Sequence, residues 1–360
     1  MTRWLWIALA LGCSGEDKEI VAADAEETDT TLPAPDTDLP PDDTDETVVE
    51  TDETVVEETD PPTGPTCLAV DPTTPVVPLL PAIGIDFEED RVLYGMPATA
   101  PKAVVLFFHG SGGSAADVNG TEVQALMNQL VPFGWGYVAA ESEDQDPGNT
   151  WDTSQKADNP DMARVVRVLD HVAGLTTLEA DTPIVAMGFS NGGSAVAAFV
   201  AIYGDTIPVV AASFHNTAPR GFEDVPAIWF AAVNDAQTTP GTMEAAYQDT
   251  LQSGQQTEYH LQAEQVISVG MLQRNPEIDA AEADALFADM VASGLVAADG
   301  TRLVQGDGDA MDKALNGWAA QSAVPGALRA SDLSHRIWAL HRFIGYQADV
   351  ECAFLTGLVP

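Results

Sequence analysis

The chain has 360 residues, with 56 Asp and Glu against 14 Lys and Arg, and a formal net charge of −42. A field of that sign repels phosphate backbones, so nucleic acid is excluded as a main partner and a polyanionic substrate is disfavoured. Nineteen of the acids and one Lys fall in residues 16–66, a stretch rich in Pro and Thr and without aromatics. Such a segment buries too little apolar surface to offset its ordering entropy, so residues 14–66 are expected to form an acidic disordered linker. The remainder, roughly 290 residues, is ample for one large core. The short repeat within 46-ETVVETDETVVEE-58 reads as low-complexity sequence, too short and polar to stack.

In chain order, residues 1–13 read MTRWLWIALALGC. Arg3 supplies a positive charge, and the apolar run that follows has the length of a secretory signal core, too short to span a bilayer. The end of that run, Ala10-Leu11-Gly12-Cys13, resembles a bacterial lipoprotein signal, which implies lipidation at Cys13 and export, with the acidic linker as a tether. Ordinary secretion and a cytosolic location stay as alternatives. Two further cysteines, Cys67 and Cys352, bracket the remaining chain. An exported chain sits where disulfides persist, so a Cys67–Cys352 bridge is expected, with two unpaired thiols as the alternative. No CxxC or clustered Cys/His spacing marks a zinc site.

From residue 84 short apolar runs alternate with helical patterns. Strands are predicted at 91–96, 103–109, 136–140, 182–188, 208–214 and 227–233, and one around His260. Helices are predicted at 121–132, 161–175 and 192–203. This alternation predicts an α/β fold, with a mostly parallel central sheet and helices on both faces. Residues 241–330 break the rhythm: they are richer in Gln, Ala, Asp and Glu, with a helix at 280–293 and an Asp-Gly turn in 298-ADGTRLV-304. They are expected to contain a mainly helical, lid-like insertion. A final helical run is predicted at 335–354.

The chemistry concentrates in 183-PIVAMGFSNGGSA-195, where Gly188-Phe189-Ser190-Asn191-Gly192 fits Gly-x-Ser-x-Gly between a strand and a helix of small residues. A nucleophile on such a turn needs strained backbone angles, and flanking glycines remove clashing side chains. The helix start then points N–H groups at developing negative charge. A second piece, 106-LFFHGSGGS-114, runs from a buried strand into a Gly/Ser loop. Acyl transfer needs N–H donors for its oxyanion, and these are assigned to the backbones of Asn191 and of Ser111 or Gly112. A phosphate-cradling loop is the alternative, but no Gly-Lys-Ser/Thr follows. His109 reads first as a residue shaping this loop, and Trp151 either lines the substrate pocket with it or is a buried anchor.

The stretches HGSGG, GFSNGG and the strand ending in Asn234-Asp235 resemble α/β-hydrolases, nearest in look to the dienelactone hydrolase, polyhydroxyalkanoate depolymerase and feruloyl esterase branch. The resemblance covers residues 84–262 and 331–350. It implies a triad in the chain order Ser, acid, His, which assigns Ser190 as nucleophile, Asp235 as acid and His335 as base. Asp224 lies on the wrong side of its strand. His341 is the alternative base, read as packing inside the last helix, while His171, His215 and His260 fall in elements or in an order that does not fit. The implied activity is carboxylic ester hydrolysis through an acyl-enzyme, with no metal or cofactor and an ester, small or polymeric, as partner. The alternative is a catalytically inactive hydrolase fold that binds a surface ligand or partner.

Overall fold

The computed structural model describes residues 65–88, 90–143 and 148–359. The signal at 1–13 with Cys13, and the acidic linker up to residue 64, lie outside the described residues.

A hairpin opens the fold, β1 (Ile83–Phe87) against β2 (Asp90–Gly95). Then follow β3 (Val104–Phe108), α1 (Thr121–Leu130), β4 (Gly136–Ala139), α2 (Pro160–Leu175), β5 (Ile184–Phe189), α3 (Asn191–Tyr203), β6 (Val209–His215), β7 (Ala227–Ala232), α4 (Pro240–Gln252) and β8 (Thr257–Gln262). The eight strands form one sheet in the order β1-β2-β4-β3-β5-β6-β7-β8. Pairings of β2 are antiparallel and all others are parallel, so β2 alone runs against the rest.

Every residue of β3, VVLFF, is buried. Alternate side chains of a strand face opposite sides, and here Val104, Leu106 and Phe108 join one apolar cluster while Val105 and Phe107 join another. The first cluster is closed by α2, α3 and α4 through residues such as Val165, Phe199 and Met243. The second is closed by α1 through Leu126 and Met127, and by the last helix, α9 (Ala348–Leu358), through Phe354 and Leu355. Two-sided burial explains why these strands read as unbroken apolar runs. The helix starts are local in origin: Asn159 accepts from the Met162 N–H with Pro160 in the first turn, and Thr239 caps α4 likewise, each cap worth about 1 kcal/mol.

Between β8 and α9 lie α5 (Val269–Leu272), α6 (Ala280–Ala292), α7 (Gly308–Gln321) and α8 (Ala327–Ile337). The run of helices therefore starts after β8, and the range 241–330 also takes in β8, a strand of the sheet, and α4, which packs against it. The polar edge strand TEYHLQ masked that boundary. The Asp-Gly turn closes an antiparallel bridge between Val296 and Arg302. The insertion has its own core, with Leu286, Met290, Leu315 and Trp318, and this core also takes in Ile337, Trp338, Leu340 and Tyr346 from the chain just beyond it. A buried pair ties it to the sheet: Arg274 donates from Nε and Nη2 to both carboxylate oxygens of Glu122 on α1, at 2.7 and 2.9 Å.

Cys67 and Cys352 form a disulfide, Cα–Cα 5.8 Å, across 285 residues of sequence. A cross-link over so long a loop removes much entropy from the unfolded chain, so Cys352→Ser is expected to cost roughly 2–5 kcal/mol. Urea unfolding of the two proteins measures it, and equal midpoints would refute the estimate.

Candidate active site

Ser190 sits between β5 and α3 at φ 55, ψ −125, a left-handed conformation that side-chain-bearing residues avoid. The turn is held from outside, since the Ser190 N–H donates to the His215 carbonyl at 3.0 Å and the Gly193 N–H returns to Ser190 O. Its glycines are steric necessities. A Cβ on Gly188 would lie 2.3 Å from Gly192 O, and one on Gly192 would lie 2.2 Å from Phe108 O.

Asp235 follows β7 and is 4% exposed. Its Oδ1 accepts from the N–H groups of Gln237 and Thr238, both at 2.8 Å. Its Oδ2 lies 2.7 Å from His341 Nδ1, and His341 Nε2 lies 2.8 Å from Ser190 Oγ. With the carboxylate accepting, Nδ1 carries the proton and Nε2 is free to accept from the serine hydroxyl. The Phe189 ring lies 4.9 Å from the imidazole, centroid to centroid.

The expectation for the base is thus corrected: the imidazole at Ser190 belongs to His341, not His335. The predicted helix over 335–354 is two helices. α8 stops at Ile337, and a loop carrying His341 runs to α9. Ala339 takes φ 51, the Leu340 N–H reaches His335 O and the Ala339 N–H reaches Arg336 O. This is a Schellman stop with alanine where glycine is usual. Distant asparagines hold it open. Asn234 donates from its backbone to Ala339 O at 3.0 Å and from Nδ2 to Trp338 O at 2.7 Å. Asn216, itself at φ 46, donates from Nδ2 to Arg342 O at 2.6 Å. Asn216 directly follows β6 and Asn234 stands two residues past β7, and together they hold the loop that carries His341. Their only sequence signal is an Asn just beyond each strand.

His335 faces the other way, 1% exposed, with Nδ1 donating to Ser331 O at 2.6 Å and Nε2 2.9 Å from Asp312. Burial, and next the Arg342 charge, hold its pKa below the ordinary histidine value; burial does the same to His109. Below about pH 6.5 the unfolded chain takes up protons that these folded sites refuse, so their contribution to stability is full above that pH and is lost as pH falls. Thermal melts of His335→Gln at about pH 7.5 and about pH 5.5 are expected to show a smaller acid-side drop than the parent. An equal drop would remove His335 from the acid response.

The loop expected to carry the oxyanion donors follows β3. The N–H groups of Asn191 and Ser111 donate to no acceptor among the described residues, and Asn191 opens α3, where the helix end favours negative charge. The Gly112 N–H donates to Gly148 O at 2.7 Å, which corrects its assignment as an oxyanion donor. His109 is corrected as a pocket residue, while Trp151 is a buried anchor that also borders a hollow with Thr150 and Asp161. Trp151 is 2% exposed; its Nε1 donates to His109 O at 2.9 Å and its backbone N–H to Asn191 Oδ1 at 2.8 Å. It ties His109, just past β3, to Asn191 beside the serine turn. His109 is fully buried: Nε2 accepts from the Ser142 N–H and Nδ1 donates to Gly110 O at 2.8 Å.

A sheet in this strand order with only β2 reversed, and a strained serine at the turn from β5 into α3, define an α/β-hydrolase fold. The chain is similar to solved structures of a thermostable esterase (16% identity over 51% of this chain and 54% of that one, TM-score 0.39), an arylesterase (15%, 53% and 79%, 0.38) and Est1E from Butyrivibrio proteoclasticus with bound ferulic acid (12%, 50% and 89%, 0.38). The match spans about half the length of the first of these. No protein-family model matches the sequence, and no curated protein matches it either.

Proposed function

We propose that the chain is a serine hydrolase that cleaves carboxylic esters. The observation that carries this reading is the unbroken line from Ser190 Oγ to His341 at 2.8 Å and on to Asp235 at 2.7 Å. Ser190 Oγ attacks the ester carbonyl while His341 Nε2 takes its proton. The carbonyl oxygen gains the charge, and the Asn191 and Ser111 N–H groups stabilise it. Asp235 holds the imidazole in its tautomer and stabilises it once charged. The tetrahedral adduct collapses, His341 protonates the departing alcohol, and an acyl-Ser190 remains. Water, deprotonated by His341, then releases the acid and restores the serine.

The same reading places the enzyme outside the cytoplasm, tethered through a lipid on Cys13. The Cys67–Cys352 disulfide supports export, and the intact mass of the membrane-extracted mature chain tests the lipid. A serine-directed fluorophosphonate tests the chemistry. It is expected to label Ser190 in the folded protein, and a short-chain chromogenic ester is expected to be turned over, both being lost in Ser190→Ala. Absence of labelling and turnover in the parent would return the chain to a binding role.

A further inference from the structure

A cavity of about 430 Å³ is walled by residues from the chain on either side of the triad. Three of its wall residues are chain neighbours of the machinery: Gly110 begins the oxyanion loop, Phe189 precedes Ser190 and Arg342 follows His341. Phe107 and Phe343 add apolar surface, and Arg336 adds a second guanidinium. Two of only 14 cationic side chains in a chain of net charge −42 therefore meet at one hollow lined by the sequence neighbours of Ser190 and His341.

Arg336 is the more telling of the two. Its side chain is 11% exposed and its Nη2 pairs with Asp332 at 2.9 Å. Its buried Nε and Nη1 have no acceptor among the described residues. Burying guanidinium donors without partners is costly, so these two call for an acceptor. Arg342 donates from Nη1 to the His341 carbonyl and lies 3.7 Å from both Asp312 and Asp332, so neither carboxylate grips it closely. Two acids also line the hollow. Asp332 is half exposed, and burial pushes the Asp117 carboxyl up, which weakens its hold as a counter-charge.

We propose that this cavity selects esters that carry a free carboxylate, such as half-esters of aliphatic dicarboxylic acids, with Arg336 and Arg342 taking the carboxylate and the phenylalanines covering the chain between it and the ester. A guanidinium fork fits a carboxylate in two hydrogen bonds, which a neutral chain end cannot replace. The inference rests on the ester-hydrolase reading above.

The test is the ratio of kcat/KM for monomethyl adipate to that for methyl hexanoate, by acid titration on the full domain. In the parent this ratio is expected to exceed tenfold. Arg336→Gln is expected to bring it down at least tenfold, chiefly through KM for the half-ester, with Arg336→Lys recovering part. Should Arg336→Gln not fold, Arg342→Gln is expected to lower the ratio too. A parent ratio of one or less overturns the proposal, as does a ratio unmoved by the variants. Fluorophosphonate labelling separates the two readings. If Ser190 is labelled but the half-ester is not preferred or not hydrolysed, only the carboxylate subsite falls. If Ser190 is not labelled and neither ester reacts, the hydrolase reading falls and the subsite with it.

Discussion

His341→Ala is expected to lower kcat on a short-chain ester by a factor on the order of 10,000 to 1,000,000, the loss typical of removing the base from a cooperating triad. His335→Ala is expected to keep kcat within about tenfold of the parent while losing stability, since it removes a buried, bonded ring. The contrast follows from geometry: His341 Nε2 is 2.8 Å from Ser190 Oγ, whereas both nitrogens of His335 face Ser331 and Asp312. Kinetics and probe labelling of the two variants decide between them. The reverse outcome, activity surviving in His341→Ala and vanishing in His335→Ala, would sink the triad described above.

Gly192→Ala is expected to cost at least about 3 kcal/mol, the upper part of the range for overpacking. The new methyl would sit 2.2 Å from Phe108 O and 2.4 Å from His109 O, both backbone atoms at the start of the oxyanion loop. Backbone there cannot rotate aside as a side chain would, so either the loop lifts away from Ser190 or the elbow opens. For a domain of this size the melting point should fall by roughly 6–12 °C, with esterase activity falling alongside. Gly317→Ala is the control: it lies inside α7 with nothing within 4 Å of the added carbon, and it is expected to gain up to about 1 kcal/mol. Equal melting points for the two variants would show that the close approach at Gly192 is not a constraint.

The sheet was legible because its strands are buried on both faces, and burial leaves continuous apolar runs such as VVLFF. The elbow was legible because its steric demand is local: Gly188 and Gly192 stand where a side chain would strike neighbouring backbone, within a few residues of Ser190. The base loop was not, for the opposite reason. Nothing in 335-HRIWALHRF-343 announces the end of a helix, because Ala339 takes the position a glycine would have marked. The bonds that hold the loop come from Asn216 and Asn234, over 100 residues earlier. Gly112 misled in a related way. Its place in the loop fits an oxyanion donor, but its N–H is taken by Gly148, a contact that no local pattern carries. The insertion's relation to the site was equally hidden. Its core includes Trp338 and Leu340, the residues flanking Ala339, so it buttresses the loop that carries His341.

Because the Cys67–Cys352 bond spans nearly the whole domain, the polypeptide from one cysteine to the other is a closed covalent circuit. A protease that nicks a surface turn in the insertion, for instance near Asn275, would open the circuit without releasing a fragment. The cut halves would stay joined through sulfur and run as a single species until a reductant is added. A single break of this kind would keep Ser190, Asp235 and His341 on one molecule.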